Sequence, residues 1–285
     1  MSRDLSPRPL AYHKVGNLRV QGVSVAGVGS CYYIPELRTC IDVAQGLPMA
    51  VPARHIFITH AHMDHAAGLP YLISQKALIG FKNTQYYVPK QMINPLNKIM
   101  DQWATIEEYE YGVEFTPFEP EDITEVQPSF YVKSISAHHR IKASSYLIIE
   151  KHKSLHEKYK SLHPEELKKM AKQGINLNTT TDKIRMAFSG DTKSEFFDHS
   201  LVQNAESIFV ETTYLDEKRS TKHARDWGHV HLDELIEVLP RLKAKSIYLC
   251  HISTRYSPSE AQNIINKSIP KKELGRVKLF HPGAK

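Results

Sequence analysis

The sequence predicts a layered α/β fold, and three observations predict it. Short apolar runs of strand length, such as His55-Ile56-Phe57-Ile58, alternate with longer stretches of helical pattern, such as Leu232 to Leu242. Strand after strand ends in a residue able to bind a metal: His60, His139, Asp191, Glu211 and His251. The densest polar cluster, within Phe57-Ile58-Thr59-His60-Ala61-His62-Met63-Asp64-His65-Ala66-Ala67-Gly68-Leu69-Pro70, falls at a strand-to-helix turn. In layered folds functional residues gather at such strand ends, on one side of the sheets.

Composition bounds the answer further. The chain has 285 residues, 41% hydrophobic and 24% charged, the balance of an ordinary globular protein. Its net charge of +6 and pI near 9.0 suit a polyanionic partner. Cys31, Cys40 and Cys250 are scattered and form no disulfide framework, so a reducing, cytoplasmic setting is expected. Cys250 lies in an apolar strand and reads as a buried, inert thiol. The start Met1-Ser2-Arg3-Asp4 lacks the apolar core of a signal peptide, and no apolar run approaches the ~20 residues of a membrane span.

Residues 1–16, rich in Pro, Arg and His, read as an irregular lead-in. Leu18 to Ala44 carries short apolar runs broken by Gly27-Val28-Gly29 and Pro35, the pattern of a β-meander. Asp42 ends one of its strands and either orients a metal ligand or is structural. One helix is expected after the histidine cluster, to about Leu78, then a strand at Gln85–Val88 and a helix over Lys90 to Trp103. Residues 107–128, with Pro117, Pro120 and Pro128, suggest loops and short strands. Strands follow at Phe130–Ser136 and Ser145–Glu150.

Residues 151–183 read as a basic insertion between two core strands, a projecting arm. His163-Pro164-Glu165-Glu166 looks like a helix start with Pro at its first position, and Gly174 like its end. Asn176 to Asp182 is polar and is expected to be mobile. Strands resume at Ile184–Phe188 and Ser207–Val210, then a polar stretch from Asp216 to His231. A helix over Leu232–Leu242, a strand at Ser246–Cys250, a helix over Pro258–Lys267 and a strand at Val277–Phe280 complete the chain, without repeats.

His60 and His62 are two residues apart, so extended backbone points both imidazoles the same way, while Asp64 and His65 turn into the helix and face a second point. Neutral imidazole and carboxylate suit zinc and similar divalent ions. With histidine at only 16 of 285 residues, this density is not a chance feature of a polar loop. The H-x-H-x-D-H pattern resembles that of the metallo-β-lactamase-fold hydrolases, where it builds a two-metal site. His60, His62 and His139 are assigned to a first ion, Asp64, His65 and His251 to a second, with Asp191 as the bridging carboxylate. His138 competes with its neighbour His139 for the first ion.

The order of motifs narrows the resemblance. After H-x-H-x-D-H come a strand-end His, Gly190-Asp191-Thr192, Glu211-Thr212-Thr213-Tyr214-Leu215, Gly228-His229 and His251-Ile252-Ser253-Thr254-Arg255-Tyr256, and Tyr146 lies seven residues after His139. This series, covering about Gly22 to Pro282, resembles ribonuclease Z, the tRNA 3′-processing endonuclease, in its short form. The resemblance implies a metallo-β-lactamase αββα sandwich, a single domain with an inserted arm at about 151–183. It implies two divalent ions, zinc first and manganese or iron(II) next, and it selects His139 over His138. Asp64 would also handle the proton of the attacking water, and His229, steadied by Glu211, would protonate the departing 3′ oxygen. Arg255 and Ser253 would bind substrate phosphate. Precursor tRNA is the implied partner, with no membrane and a homodimer as an option. The arm departs from the family because it lacks a Gly-Pro pair. A hydrolase of small phosphodiesters such as cyclic nucleotides is the rival enzyme, and a metal-bound RNA-binding protein without activity the rival of another class.

Overall fold

The computed structural model describes residues 10–281, and their strands form two mixed sheets. The first half of the chain runs β1 (Ala11–Val15), β2 (Leu18–Ala26), β3 (Gly29–Ile34), β4 (Thr39–Ile41), β5 (His55–Phe57), α1 (Met63–Ala66), α2 (Leu69–Leu78), β6 (Gln85–Val88), α3 (Ile93–Glu107) and β7 (Phe115–Pro117). The second runs β8 (Ile123–Gln127), β9 (Phe130–Ala137), β10 (Ala143–Leu155), α4 (Pro164–Lys172), β11 (Asn178–Phe188), α5 (Ser200–Gln203), β12 (Ser207–Glu211), α6 (Thr221–Trp227), α7 (Leu232–Val238), β13 (Ser246–Cys250), β14 (Ile252–Ser253), α8 (Pro258–Ser268) and β15 (Val277–Leu279). One sheet has the order β1-β2-β3-β4-β5-β6-β7 with β14 beside β2, and the other β15-β13-β12-β11-β10-β9-β8.

Alternation along the strands builds the layers, since successive side chains point to opposite faces. In β5, Phe57 points between the sheets, while Ile56 joins Leu69, Leu72 and Ile73 of α2 and Leu96 and Met100 of α3 on the outside. In β12, Phe209 points between the sheets, while Ile208 and Val210 meet Leu232, Leu235 and Val238 of α7 and Ile265 of α8. The result is the expected αββα sandwich. Between its sheets Phe188, Phe209 and Tyr248 occupy matched positions on three adjacent parallel strands, and their rings stack at 4.6 and 4.5 Å. Strands buried on both faces must be apolar throughout, which is why they read as continuous apolar runs.

The structure corrects or completes four readings of the sequence. Within the lead-in, Ala11–Val15 is a strand paired with β2, and residues 1–9 lie outside the described residues. The helix after the histidines is two helices. They break at Gly68, where a Cβ would lie 1.8 Å from the backbone nitrogen of Gly46, so only glycine fits the elbow. The polar stretch before His231 contains α6. The segment Asn176–Asp182 is strand from Asn178 onward. Strands β10 and β11 continue past the sheet as an antiparallel ribbon, paired from Glu150↔Lys183 to Leu155↔Asn178, with α4 beyond its tip. Threonines at 179–181 favour such an extended pairing although all are polar.

Candidate metal centre

In the second sheet β9, β11, β12 and β13 run in one direction, so their carboxyl ends share an edge with the end of β5 from the first sheet. Two clusters form there. In the first, His62 Nδ1 lies 3.0 Å from His60 Nε2 and 3.3 Å from His139 Nε2, and Asp191 Oδ2 lies 3.7 and 3.9 Å from those two Nε2 atoms. In the second, His65 Nε2 and His251 Nε2 are 3.4 Å apart, and Asp64 Oδ2 is 3.9 and 3.3 Å from them. Asp191 Oδ1 faces the same two rings at 3.3 and 3.5 Å. The two oxygens of one carboxylate therefore divide between the clusters, as a bridge requires. His138 is exposed and is tied in through its backbone, its N–H donating to Thr192 and its carbonyl accepting from Lys193, so the first cluster takes His139.

The groups behind the rings decide which nitrogens carry lone pairs. His65 donates from Nδ1 to Asp42 Oδ2 at 2.7 Å. His60 donates from Nδ1 to the Thr59 hydroxyl at 3.0 Å, and that hydroxyl donates to Asp42. His251 donates from Nδ1 to the Thr213 hydroxyl at 3.0 Å, which donates to Glu211 Oε2 at 2.9 Å. His139 donates from Nδ1 to the Gly228 carbonyl at 2.8 Å. In the neutral rings every Nε2 so fixed is a lone pair aimed at another lone pair or at a carboxylate. A single proton on His62 could satisfy only one of its two neighbours. Asp191 Oδ1 is buried with no hydrogen-bond partner, which by itself costs about 1–3 kcal/mol. Two divalent cations resolve both problems, and these residues fit them.

Electrostatics agree. Burial, with neighbouring imidazoles, pushes His60 well below the ordinary histidine range, and burial lowers His62 and His139 too, so all three offer neutral rings. His65 behaves oppositely: burial works to lower it, but Asp191 and Asp42 push it well up. A proton thus competes with a cation for that place. All donors are nitrogen or oxygen. The three thiols are buried elsewhere and free.

The clusters open into a cleft lined by Gly27, Tyr214, His229, Ser253 and Arg255. His229 Nδ1 lies 2.9 Å from Glu211 Oε1 and 3.9 Å from Asp191 Oδ2. Burial alone would lower His229, but Glu211 raises it to about 9, so the ring is charged near neutrality. The Gly27 N–H donates to Asp64 Oδ2 at 2.8 Å. Ser253 is buried, and its hydroxyl accepts from the exposed Arg255 guanidinium at 3.3 Å.

Of the two readings of Asp42, the orienting one holds. Thr59, Thr213 and the Gly228 carbonyl escape a reading of the sequence, since a threonine beside a ligand carries no pattern of its own. Gly228 does carry a signal: it ends α6 in the left-handed region at φ +80°, and a Cβ there would lie 2.7 Å from His139 Nδ1. Tyr146 donates its hydroxyl to the Ile58 carbonyl at 2.7 Å and so fixes the strand end before His60.

Comparison with known proteins bears on the family and the fold. The model of the family described as beta-lactamase superfamily domain matches residues 35–252. The chain is 30% identical over 251 residues to chloroplastic tRNase Z TRZ2 of Arabidopsis thaliana, spanning 87% of this chain and 71% of that one. Among solved structures, the metallo-beta-lactamase fold protein YhfI of Bacillus subtilis superposes with a TM-score of 0.63 at 14% identity, over 96% and 98% of the two chains. The short form of human tRNase Z gives a TM-score of 0.56 at 16% identity, over 90% and 93%.

Proposed function

The chain belongs to the metallo-β-lactamase superfamily and is a metal-dependent hydrolase, and we propose that its reaction is hydrolysis of the phosphodiester at the 3′ side of precursor tRNA. The observation that carries this is His229, held by Glu211 at 2.9 Å beside both clusters and in the same cleft as Arg255 and Ser253. A metal centre alone needs no such charged imidazole; expelling a poorly stabilised alkoxide such as a ribose 3′ oxygen does. The similarity to a chloroplastic tRNase Z supports the RNA substrate.

Two divalent ions, zinc or else manganese or iron, would supply Lewis acidity at the phosphate and activate the attacking water. They would be held by His60, His62 and His139 on one side, by Asp64, His65 and His251 on the other, and by Asp191 between. Asp64, whose Oδ2 faces the second cluster and accepts from the Gly27 N–H, would take the proton of that water on its other oxygen. His229 gives its proton to the leaving 3′ oxygen while Glu211 stabilises the imidazolium. Arg255, propped on Ser253, takes a non-bridging phosphate oxygen.

The test is a gel assay of a defined precursor tRNA beside a generic phosphodiester, with the cut mapped. Cleavage at the mature 3′ end, leaving a 3′-hydroxyl, supports the reading. Turnover of the small diester alone supports the second reading, a small-phosphodiester hydrolase, which the missing Gly-Pro pair in the arm favours. Binding without any cleavage would leave only an RNA-binding role.

A further inference from the structure

Helix α6 delivers His229, and it ends on a tryptophan that the chemistry above does not use. Its last residue, Trp227, remains 48% exposed. The helix end is not free to move away, because the Gly228 carbonyl accepts from His139. The residue after His139, Arg140, sets its guanidinium carbon 4.7 Å from the Trp227 ring centroid. His223, one turn earlier in α6, has its ring 6.0 Å from Trp227 and 5.3 Å from Tyr214, whose ring is 6.2 Å from His229. An exposed indole and a guanidinium are thus pinned to a metal-ligand imidazole on one side and lead to the acid on the other.

We propose that Trp227 and Arg140 form a stacking platform for an unpaired nucleobase, that of the nucleotide whose 3′ oxygen leaves. The proposal rests on the RNA reading above. His229 must touch that oxygen to protonate it, so the ribose carrying it lies beside His229. Trp227 stands two residues away along the same turn. Indole and guanidinium both present planar faces that stack on bases, and such stacking tolerates any base because each has a π-face. Arg140 adds a positive charge to the same spot, where the backbone brings a negative one. An enzyme that trims many precursors needs a grip of this tolerant kind.

The test compares two precursor tRNAs, one with a normal base before the scissile phosphate and one abasic there. Trp227→Ala should lower kcat/KM on the normal precursor roughly tenfold to a hundredfold, mainly through KM. On the abasic precursor wild type and variant should be equal. Trp227→Phe should restore most of the loss; Trp227→Leu, which keeps apolar packing, should not. Fluorescence gives a readout free of turnover, because the sequence has two tryptophans. In a Trp103→Phe holoenzyme, Trp227 emission should be quenched by mature tRNA and not by the same tRNA with an abasic 3′ terminal nucleotide. Equal losses on both precursors, or rescue by leucine, would show that Trp227 only supports the helix end and would overturn the platform. A wild type that cleaves neither precursor would overturn the tRNA reading itself.

Discussion

The metal centre and the arm solve opposite problems with the same alphabet of histidines and charges. At the centre, His60, His65, Asp191 and His251 are buried, and the imidazoles of His60, His65, His139 and His251 are held at their far nitrogens by a carboxylate, a threonine or a carbonyl. In the arm, no residue from 151 to 183 is buried. Metal ligation and proton transfer demand placement within about 0.5 Å, which only packing and a second layer of hydrogen bonds provide. Attraction between a lysine and a phosphate decays over roughly 8–10 Å at physiological salt, so a surface ribbon can serve it. Precision is bought with burial only where the chemistry uses it.

The division between the two regions is tested hardest at its most buried point. Asp191→Ala removes the one carboxylate that faces both clusters. Metal content by mass spectrometry should fall at both sites, and turnover should vanish. Two tightly held ions and normal activity would show that the clusters do not depend on a bridge.

Next comes the acid. His229→Ala should keep both metals and lose about 10²–10⁴-fold in rate. The pH profile should report the same group. Its folded value is raised, to about 9, so the charged form is present below that pH and lost above it. Bound cations pull it down, placing the alkaline limb at or below about pH 9. Glu211→Gln should move that limb lower still. A profile unchanged in Glu211→Gln would separate the pair.

A subtler effect lies inside the centre itself. Asp42 and Glu211 are parallel devices: each holds one imidazole directly and another through a threonine hydroxyl. Thr213→Val deletes the acceptor for His251 Nδ1–H and should weaken the second ion about 10–100-fold while sparing the first, as read by metal titration. Thr213→Ser should restore it. Equal weakening of both ions would mean that the valine disturbs the fold and not the relay.

Legibility in the sequence follows the same division. The ligands are legible because H-x-H-x-D-H is short in sequence and because the other ligands mark strand ends, which apolar runs announce. The relays are not, since Thr59 and Thr213 are ordinary strand-end residues until Asp42 and Glu211 are placed behind them. The α/β layering is legible from apolar runs of strand length set among helical stretches, and the αββα arrangement from the motif resemblance, whereas the strand Ala11–Val15 and the ribbon at 178–183 are hidden by polar or basic residues. An edge strand or a two-stranded ribbon has solvent on its faces, so it lacks the apolar period by which strands are recognised.

The arm should have the smallest effect on chemistry and a selective one on substrate. His152 and Thr181 face each other in the ribbon, so removing 153–180 and closing the gap with Asn-Gly leaves a hairpin in register. The deletion takes away Lys153, Lys158, Lys160, Lys168, Lys169 and Lys172, none of them buried, while Lys151, packed 4.2 Å over the Tyr131 ring, remains. No ligand of either cluster lies in the deleted stretch, and the ends of β10 and β11 that carry the fold are kept. Hydrolysis of a small phosphodiester and metal content should therefore stay at the wild-type level. Precursor tRNA should be cleaved more weakly through KM, and the slope of binding against log salt should shrink by about one for each phosphate that a deleted lysine had neutralised. A deleted protein that keeps its metals, its rate on precursor tRNA and its salt slope would show that the lysines only solvate the ribbon. RNA recognition would then fall to Arg255, Arg140 and Trp227 at the rim of the cleft, where the precise half of the molecule ends.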